Sequence, residues 1–133
     1  MKNNTELFKE LKPGTVLNAG KYTIEKKIGE GGFGITYTAV QRGLNRAVCI
    51  KEYFLAGRCV RNQQAKTVHL QGGGEEFFEK YRKAFVKEAQ TLASLRHPNI
   101  VEVIDIFDEN NTSYMVMPFI EGRTLHSIVE KNG

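Results

Sequence analysis

The run Gly29-Glu30-Gly31-Gly32-Phe33-Gly34 constrains this chain most, because it places four glycines in six residues between two stretches that read as β-strands. Residues 22–28 before it alternate apolar and polar, and residues 35–40 after it are β-branched and aromatic. The spacing fits G-x-G-x-x-G, a loop whose backbone N–H groups can approach phosphate oxygens where a Cβ would obstruct them. Alone, the same letters also describe an ordinary glycine-rich hairpin turn. A dinucleotide-binding fold uses them too, with Glu52 as its later acidic residue. Context excludes that fold, which needs a helix directly after the third glycine, where this chain has a strand pattern. Strand, glycine loop, strand describes a flap folded over phosphates.

A third strand follows over residues 47–54, apolar apart from Lys51 and Glu52, and three strands with tight links predict an antiparallel meander. The first twenty residues, with turn signals at Pro13-Gly14 and Asn18-Ala19-Gly20, read as an irregular lead-in. Residues 59–61 and 67–70 can pair as a small hairpin, and Gly72-Gly73-Gly74 reads as a joint. The glutamates at 75 and 76 would repel phosphate, so this second glycine run is a linker. A helix is expected over residues 75–94, then strands over 100–107 and 112–117 joined by a turn at 108–111, then a helix over 124–130.

Composition narrows the function classes. With 133 residues and 41% hydrophobic content, the chain can bury a core without staples. Cys49 and Cys59 are too few for a disulfide scaffold and lack metal-ligand spacing, so reduced thiols in a cytoplasmic setting are expected. Residues 1–6 contain no apolar signal-peptide core, and the longest apolar stretch, around Tyr114 to Ile120, is too short to span a bilayer. The net charge of +4 is spread along the chain, and the basic residues of the helix alternate with glutamates, so no nucleic-acid partner is expected.

Lys51 interrupts an apolar strand. A buried ammonium needs a partner, although a strand-end lysine can also snorkel out to water, and both readings stand at this point. On a helical wheel with Phe78 at zero, Phe77, Tyr81, Ala84, Phe85, Ala89, Leu92 and Leu95 form an apolar arc from about 240° through 360° to 20°. Glu88 lies inside that arc, at about 280°, whereas Glu76, Glu79, Lys80, Lys83 and Lys87 fall at about 100° to 200° and Arg82 at about 40°. Pairs Glu76–Lys80 and Glu79–Lys83 are expected on that solvated face. A carboxylate facing the core and an ammonium in an apolar strand are costly apart and compatible together.

These motifs, in this order, resemble the N-terminal lobe of a bacterial eukaryotic-like (Hanks-type) serine/threonine protein kinase. The resemblance covers about residues 11–133. It rests on the glycine loop, on Ala47-Val48-Cys49-Ile50-Lys51, on Phe85-Val86-Lys87-Glu88-Ala89, and on Leu95-Arg96-His97-Pro98-Asn99-Ile100-Val101. Residues 114–122 resemble a hinge, and Ile50-Lys51-Glu52-Tyr53-Phe54 with the long insertion before the helix resembles one bacterial subgroup. The fold implied is α+β: a five-stranded antiparallel sheet, one long helix, and an insertion between the third strand and that helix. Residues 1–20 would be the lead-in, 21–121 the ATP-binding lobe and 122–133 the start of the helix after the hinge.

The resemblance implies roles for particular residues. Gly29, Glu30, Gly31, Gly32, Phe33, Gly34 and Ile35 would form the loop over the ATP phosphates, and Lys51 would contact those phosphates, held by Glu88. Ile28, Thr36 and Cys49 would roof the adenine, with Met117 as gatekeeper and Pro118, Phe119 and Ile120 as hinge. Ile28 and Met117 also suit plain core packing. Thr36 and Cys49 stand where the family usually has Val and Ala, and Pro118 where Glu is common. Neither H-R-D-x-x-x-x-N nor D-F-G occurs in these residues, so the ligands of Mg²⁺ and the protein-substrate site are expected in a C-terminal lobe outside the chain. The implied activity, transfer of the ATP γ-phosphoryl to protein hydroxyls, therefore belongs to a longer parent, and this fragment alone is expected to be inactive. A regulatory or pseudokinase lobe acting as a binding module is the alternative. Exposure of Met117, Phe119 and Leu125 on the hinge side is expected to favour self-association.

Overall fold

The computed structural model describes residues 9–95 and 102–119. The expected helix at 124–130, Ile120, Leu125, and positions 96–101 lie outside the described residues. The body is an antiparallel sheet of six strands: β1 (Val16–Leu17), β2 (Tyr22–Glu30), β3 (Gly34–Gln41), β4 (Arg46–Tyr53), β7 (Asp105–Glu109) and β8 (Thr112–Pro118). Their order is β1-β2-β3-β4-β8-β7. A separate hairpin, β5 (Cys59–Arg61) with β6 (Val68–Leu70), precedes the helix α1 (Glu75–Ser94). The five expected strands and the insertion hairpin are present, joined by β1.

Two elements differ from the expectation. The lead-in belongs to the sheet: β1 pairs with β2, and Leu11 and Leu17 are buried, so two apolar anchors on either side of the Pro13-Gly14 turn draw it into the core. The expected strand at 100–107 runs instead over Asp105–Glu109, and its turn contracts to Asn110 and Asn111. Both asparagines have positive φ (57° and 63°), the conformation of a two-residue hairpin turn that matches strand twist.

The sheet curls until its edge regions meet. The Tyr22 hydroxyl donates to Asp105 Oδ2 at 2.6 Å, the Tyr22 and Phe107 rings stack at 5.9 Å, and the Asn18 N–H donates to Glu109 at 2.7 Å. Helix α1 packs on the outer face through Phe78, Phe85 and Ala89. There Tyr53 receives it: its ring meets Phe78 at 5.1 Å and Phe85 at 5.7 Å, and its hydroxyl donates to the Phe78 carbonyl at 2.8 Å. Glu79 pairs with Arg82 rather than Lys83, because Arg82 is already drawn to the sheet by Ser113 (2.9 Å) and Asp108 (3.1 Å).

Successive strand residues face opposite ways, so Glu52 points away from α1 into the curl, beside Tyr37 and Tyr114. Its carboxylate is fully buried and accepts from Tyr37 (2.8 Å), Tyr114 (2.6 Å) and the guanidinium of Arg61, itself 1% exposed. Arg61 arrives from the insertion hairpin, and its other nitrogens donate to the carbonyls of Lys9 (2.7 Å) and Lys66 (2.8 Å). Tyr37 also accepts from the Leu11 N–H at 3.0 Å. Burial works against the Arg61 charge, but the adjoining Glu52 carboxylate together with the Tyr37 and Tyr114 hydroxyls more than offsets it and raises the Arg61 pKa. Removing one partner strands the other charge, so Arg61→Met should lose about 3–5 kcal/mol in urea denaturation, and Glu52→Met/Arg61→Met should regain most of that loss.

Burial, reinforced by Glu52, also pushes the Tyr37 and Tyr114 hydroxyls up. Burial with the Asp105 bond does the same for Tyr22, and burial for Tyr53. A raised phenol pKa stabilises the fold below the unfolded value of 10.0, and that stability is lost as pH climbs above it. In an alkaline titration, four of the five tyrosines should resist ionisation at pH 10.0 and form phenolate only as circular dichroism shows unfolding.

Candidate functional site

Strand pairing assembles the site in rows on the outer face of the sheet. Gly29 lies opposite Thr36, Thr36 opposite Lys51, and Lys51 opposite Met115; Thr38, Cys49 and Met117 form the next row. A register shift between Lys27 and Gly29 sets Ile28 in a bulge, half-buried against the core. Between β2 and β3 the glycine loop closes through a bond from Gly31 N–H to Gly34 C=O at 2.9 Å. Its carbonyls at Gly32 and Phe33 accept from Ala56 and Phe54, both at 3.0 Å, which holds the loop across the end of β4. The N–H groups of Gly32 and Phe33 donate to no acceptor among the described residues.

The loop's glycines have different tasks. A Cβ at Gly34 would lie 2.9 Å from the Glu52 carbonyl and 3.2 Å from Lys51 Cε, so this position must be bare for the lysine stem to pass. At Gly31 and Gly32 an added Cβ would meet nothing within 4 Å. The fold does not require glycine there. Open space and undonated amides suit an approaching oxyanion, and Lys51, half-buried beneath the loop, forms no ion pair among the described residues. The residues fit a phosphate-bearing ligand.

Glu88 is not brought to Lys51. It is exposed, and no ion pair joins the two. The buried side of α1 is centred on Phe78, Phe85 and Ala89, with Phe77, Ala84 and Leu95 left exposed, so the buried face is narrower than the expected apolar arc and stops short of Glu88. Phe33 is 51% exposed and rests on Tyr81 of α1 at 5.4 Å, and Tyr81 continues to Phe77 at 4.6 Å and on to the Arg58 guanidinium, 4.5 Å above the Phe77 ring. Glu30 is held by Lys27 (2.8 Å) and Lys9, whose hydrogen bonds keep its carboxyl below the usual range.

Met117 is buried, 2% exposed, against Cys49 across the strand pair, which removes it from the exposed hinge-side surface expected to favour self-association. Pro118 ends β8 opposite Val48, beyond the last β7 pairing at Val116, where a missing N–H interrupts no second ladder. Phe119 is half-buried. The Thr38 hydroxyl, on the same face, is buried without a hydrogen-bond partner among the described residues.

Residues 22–133 match the family model for the protein kinase domain. The chain belongs to the protein kinase domain family. It is 33% identical over 123 residues to the serine/threonine-protein kinase PksC of Streptomyces coelicolor, covering 90% of this chain and 19% of that protein. It is 35% identical over 115 residues to the serine/threonine-protein kinase PrkC of Bacillus subtilis, covering 86% of this chain and 15% of that protein. A solved structure described as "PpkA-294 apo form" superposes with a TM-score of 0.77 at 35% identity, over 92% of this chain and 43% of that one. The chain thus spans about a fifth or less of these curated relatives and corresponds to the N-terminal lobe of the kinase domain. Among the described residues no helix is long and apolar enough to cross a membrane.

The kinase motifs in the sequence did not disclose the Glu52–Arg61 pair behind Lys51. Its one signal was a second charge, directly after the lysine, in an otherwise apolar strand. The two kinds of glycine predict separable effects. Gly34→Ala should cost about 1–3 kcal/mol through forced displacement of β4, whereas Gly31→Ala should stay within about 0.5 kcal/mol of the parent, both read by urea denaturation.

Proposed function

We propose that this chain is the ATP-binding lobe of a serine/threonine protein kinase that transfers the γ-phosphoryl group to protein hydroxyls. The observation that carries this reading is Lys51, an ammonium with no ion pair among the described residues, under a loop whose Gly31 and Gly32 leave open space. In the proposed complex the loop amides cover the triphosphate and Lys51 contacts its α- and β-phosphates. Ile28, Thr36, Cys49 and Met117 line the base, and Pro118, Phe119 and Ile120 offer main-chain groups to its edge. Gly29, Glu30 and Ile35 carry the loop's two stems.

Bound Mg²⁺ would neutralise phosphate charge. We assign its ligands to the two catalytic motifs that these 133 residues do not contain, together with the group that orients the acceptor hydroxyl. The chain by itself should therefore give no phosphotransfer. The buried, unbridged thiols Cys49 and Cys59 suit a reducing, cytoplasmic setting.

One observation favours the regulatory alternative: Glu88 is exposed and forms no ion pair with Lys51. Nucleotide binding separates the readings. In calorimetric titration the chain should bind ATP weakly, and Lys51→Met and Gly31→Val should each weaken binding at least about tenfold with unchanged melting temperature. A chain that shows no ATP binding would leave the binding-module reading.

A further inference from the structure

We propose that Glu52 is a positioning residue for Lys51, and that the insertion hairpin exists in part to deliver its counter-ion, Arg61. This rests on the ATP-site reading for its functional meaning. Lys51 and Glu52 are consecutive residues of β4 and project from opposite faces of the sheet. A lysine stem has no fixed orientation of its own, and among the described residues no carboxylate holds this one. The carboxylate behind it is held from three directions, by Tyr37 of β3, Tyr114 of β8 and Arg61 of β5.

Those contacts fix the rotation of β4 about its axis at Glu52, and so the direction in which its neighbour leaves the strand. The same peptide fixes the front of the site. The Glu52 carbonyl and the Lys51 stem are the two groups against which Gly34 is closed. Arg61 is tied in turn to the lead-in at Lys9 and to the hairpin at Lys66, and Lys9 reaches Glu30 at the base of the loop. The insertion and the lead-in thus reach Lys51 through one buried ion pair.

The test separates position from stability. Glu52→Gln, Arg61→Met and Glu52→Met/Arg61→Met are compared with Leu17→Ala, which opens a cavity on β1 at the far edge of the sheet. All are assayed at a temperature where circular dichroism shows them folded. The rate at which acetic anhydride acylates each lysine is read by peptide mass spectrometry, and ATP affinity by calorimetry. The Glu52 and Arg61 variants should change Lys51 acylation at least about threefold with other site-distant lysines unchanged, and weaken ATP about tenfold. Leu17→Ala should change neither.

The double variant decides the matter, because it removes both buried charges. It should regain melting temperature while Lys51 acylation stays altered. If Lys51 returns to parental acylation and ATP affinity along with stability, Glu52 is merely structural and the proposal is overturned. If the parent chain does not bind ATP, the ATP-site reading fails by itself, and the acylation rates still decide whether Glu52 positions Lys51.

Discussion

The buried carboxylate of Glu52 is the constraint around which the rest of this lobe is arranged. A charge inside a curled sheet is tolerable only with a counter-ion and enough donors to replace water. Here the donors come from three places in the chain, two neighbouring strands and the hairpin insertion, and the lead-in backbone is tied in behind them: the Lys9 carbonyl accepts from Arg61, and the Leu11 N–H donates to Tyr37. Hydrophobic burial alone would leave a hairpin of two three-residue strands weakly specified. The ion pair makes it obligatory, since displacing it would strand a charge.

Strand β4 consequently has two faces with different duties. Inward, Val48, Ile50 and Glu52 fill the curl; outward, Cys49, Lys51 and Tyr53 form a strip that meets the candidate site at one end and the helix at the other. Tyr53 seats α1 by two ring contacts and a hydrogen bond to a helix carbonyl, and Arg82 fixes its far side to β7 and β8. The contacts on the N-terminal half of α1 are therefore directional, while Glu88 lies beyond them on the exposed side.

Much of this was legible in the residues. Strand patterns, the glycine loop and the limits of α1 follow from local periodicity and turn chemistry, and the order of motifs pointed to the family. The facing of α1 was not legible, because a wheel weights Phe77, Ala84 and Leu95 equally with Phe78, Phe85 and Ala89, and only the last three find the sheet. Glu52 gave a signal without a partner: Arg61 lies in an insertion whose packing is decided by contacts with the lead-in and the Asn110 turn, far apart in sequence. The lead-in itself looked irregular since its two anchors, Leu11 and Leu17, are too widely separated to form a pattern.

The glycines of the loop have a consequence for how such a lobe can change over generations. Gly34 is claimed by the backbone and by the lysine stem packed against it, so folding itself resists its replacement. At Gly31 and Gly32 the space a Cβ would fill is claimed by nothing among the described residues. Side chains acquired there would obstruct whatever approaches the loop while the sheet, the ion pair and the helix seat persist. A catalytic ancestor can thus drift into a folded scaffold, losing its ligand without crossing any barrier of instability.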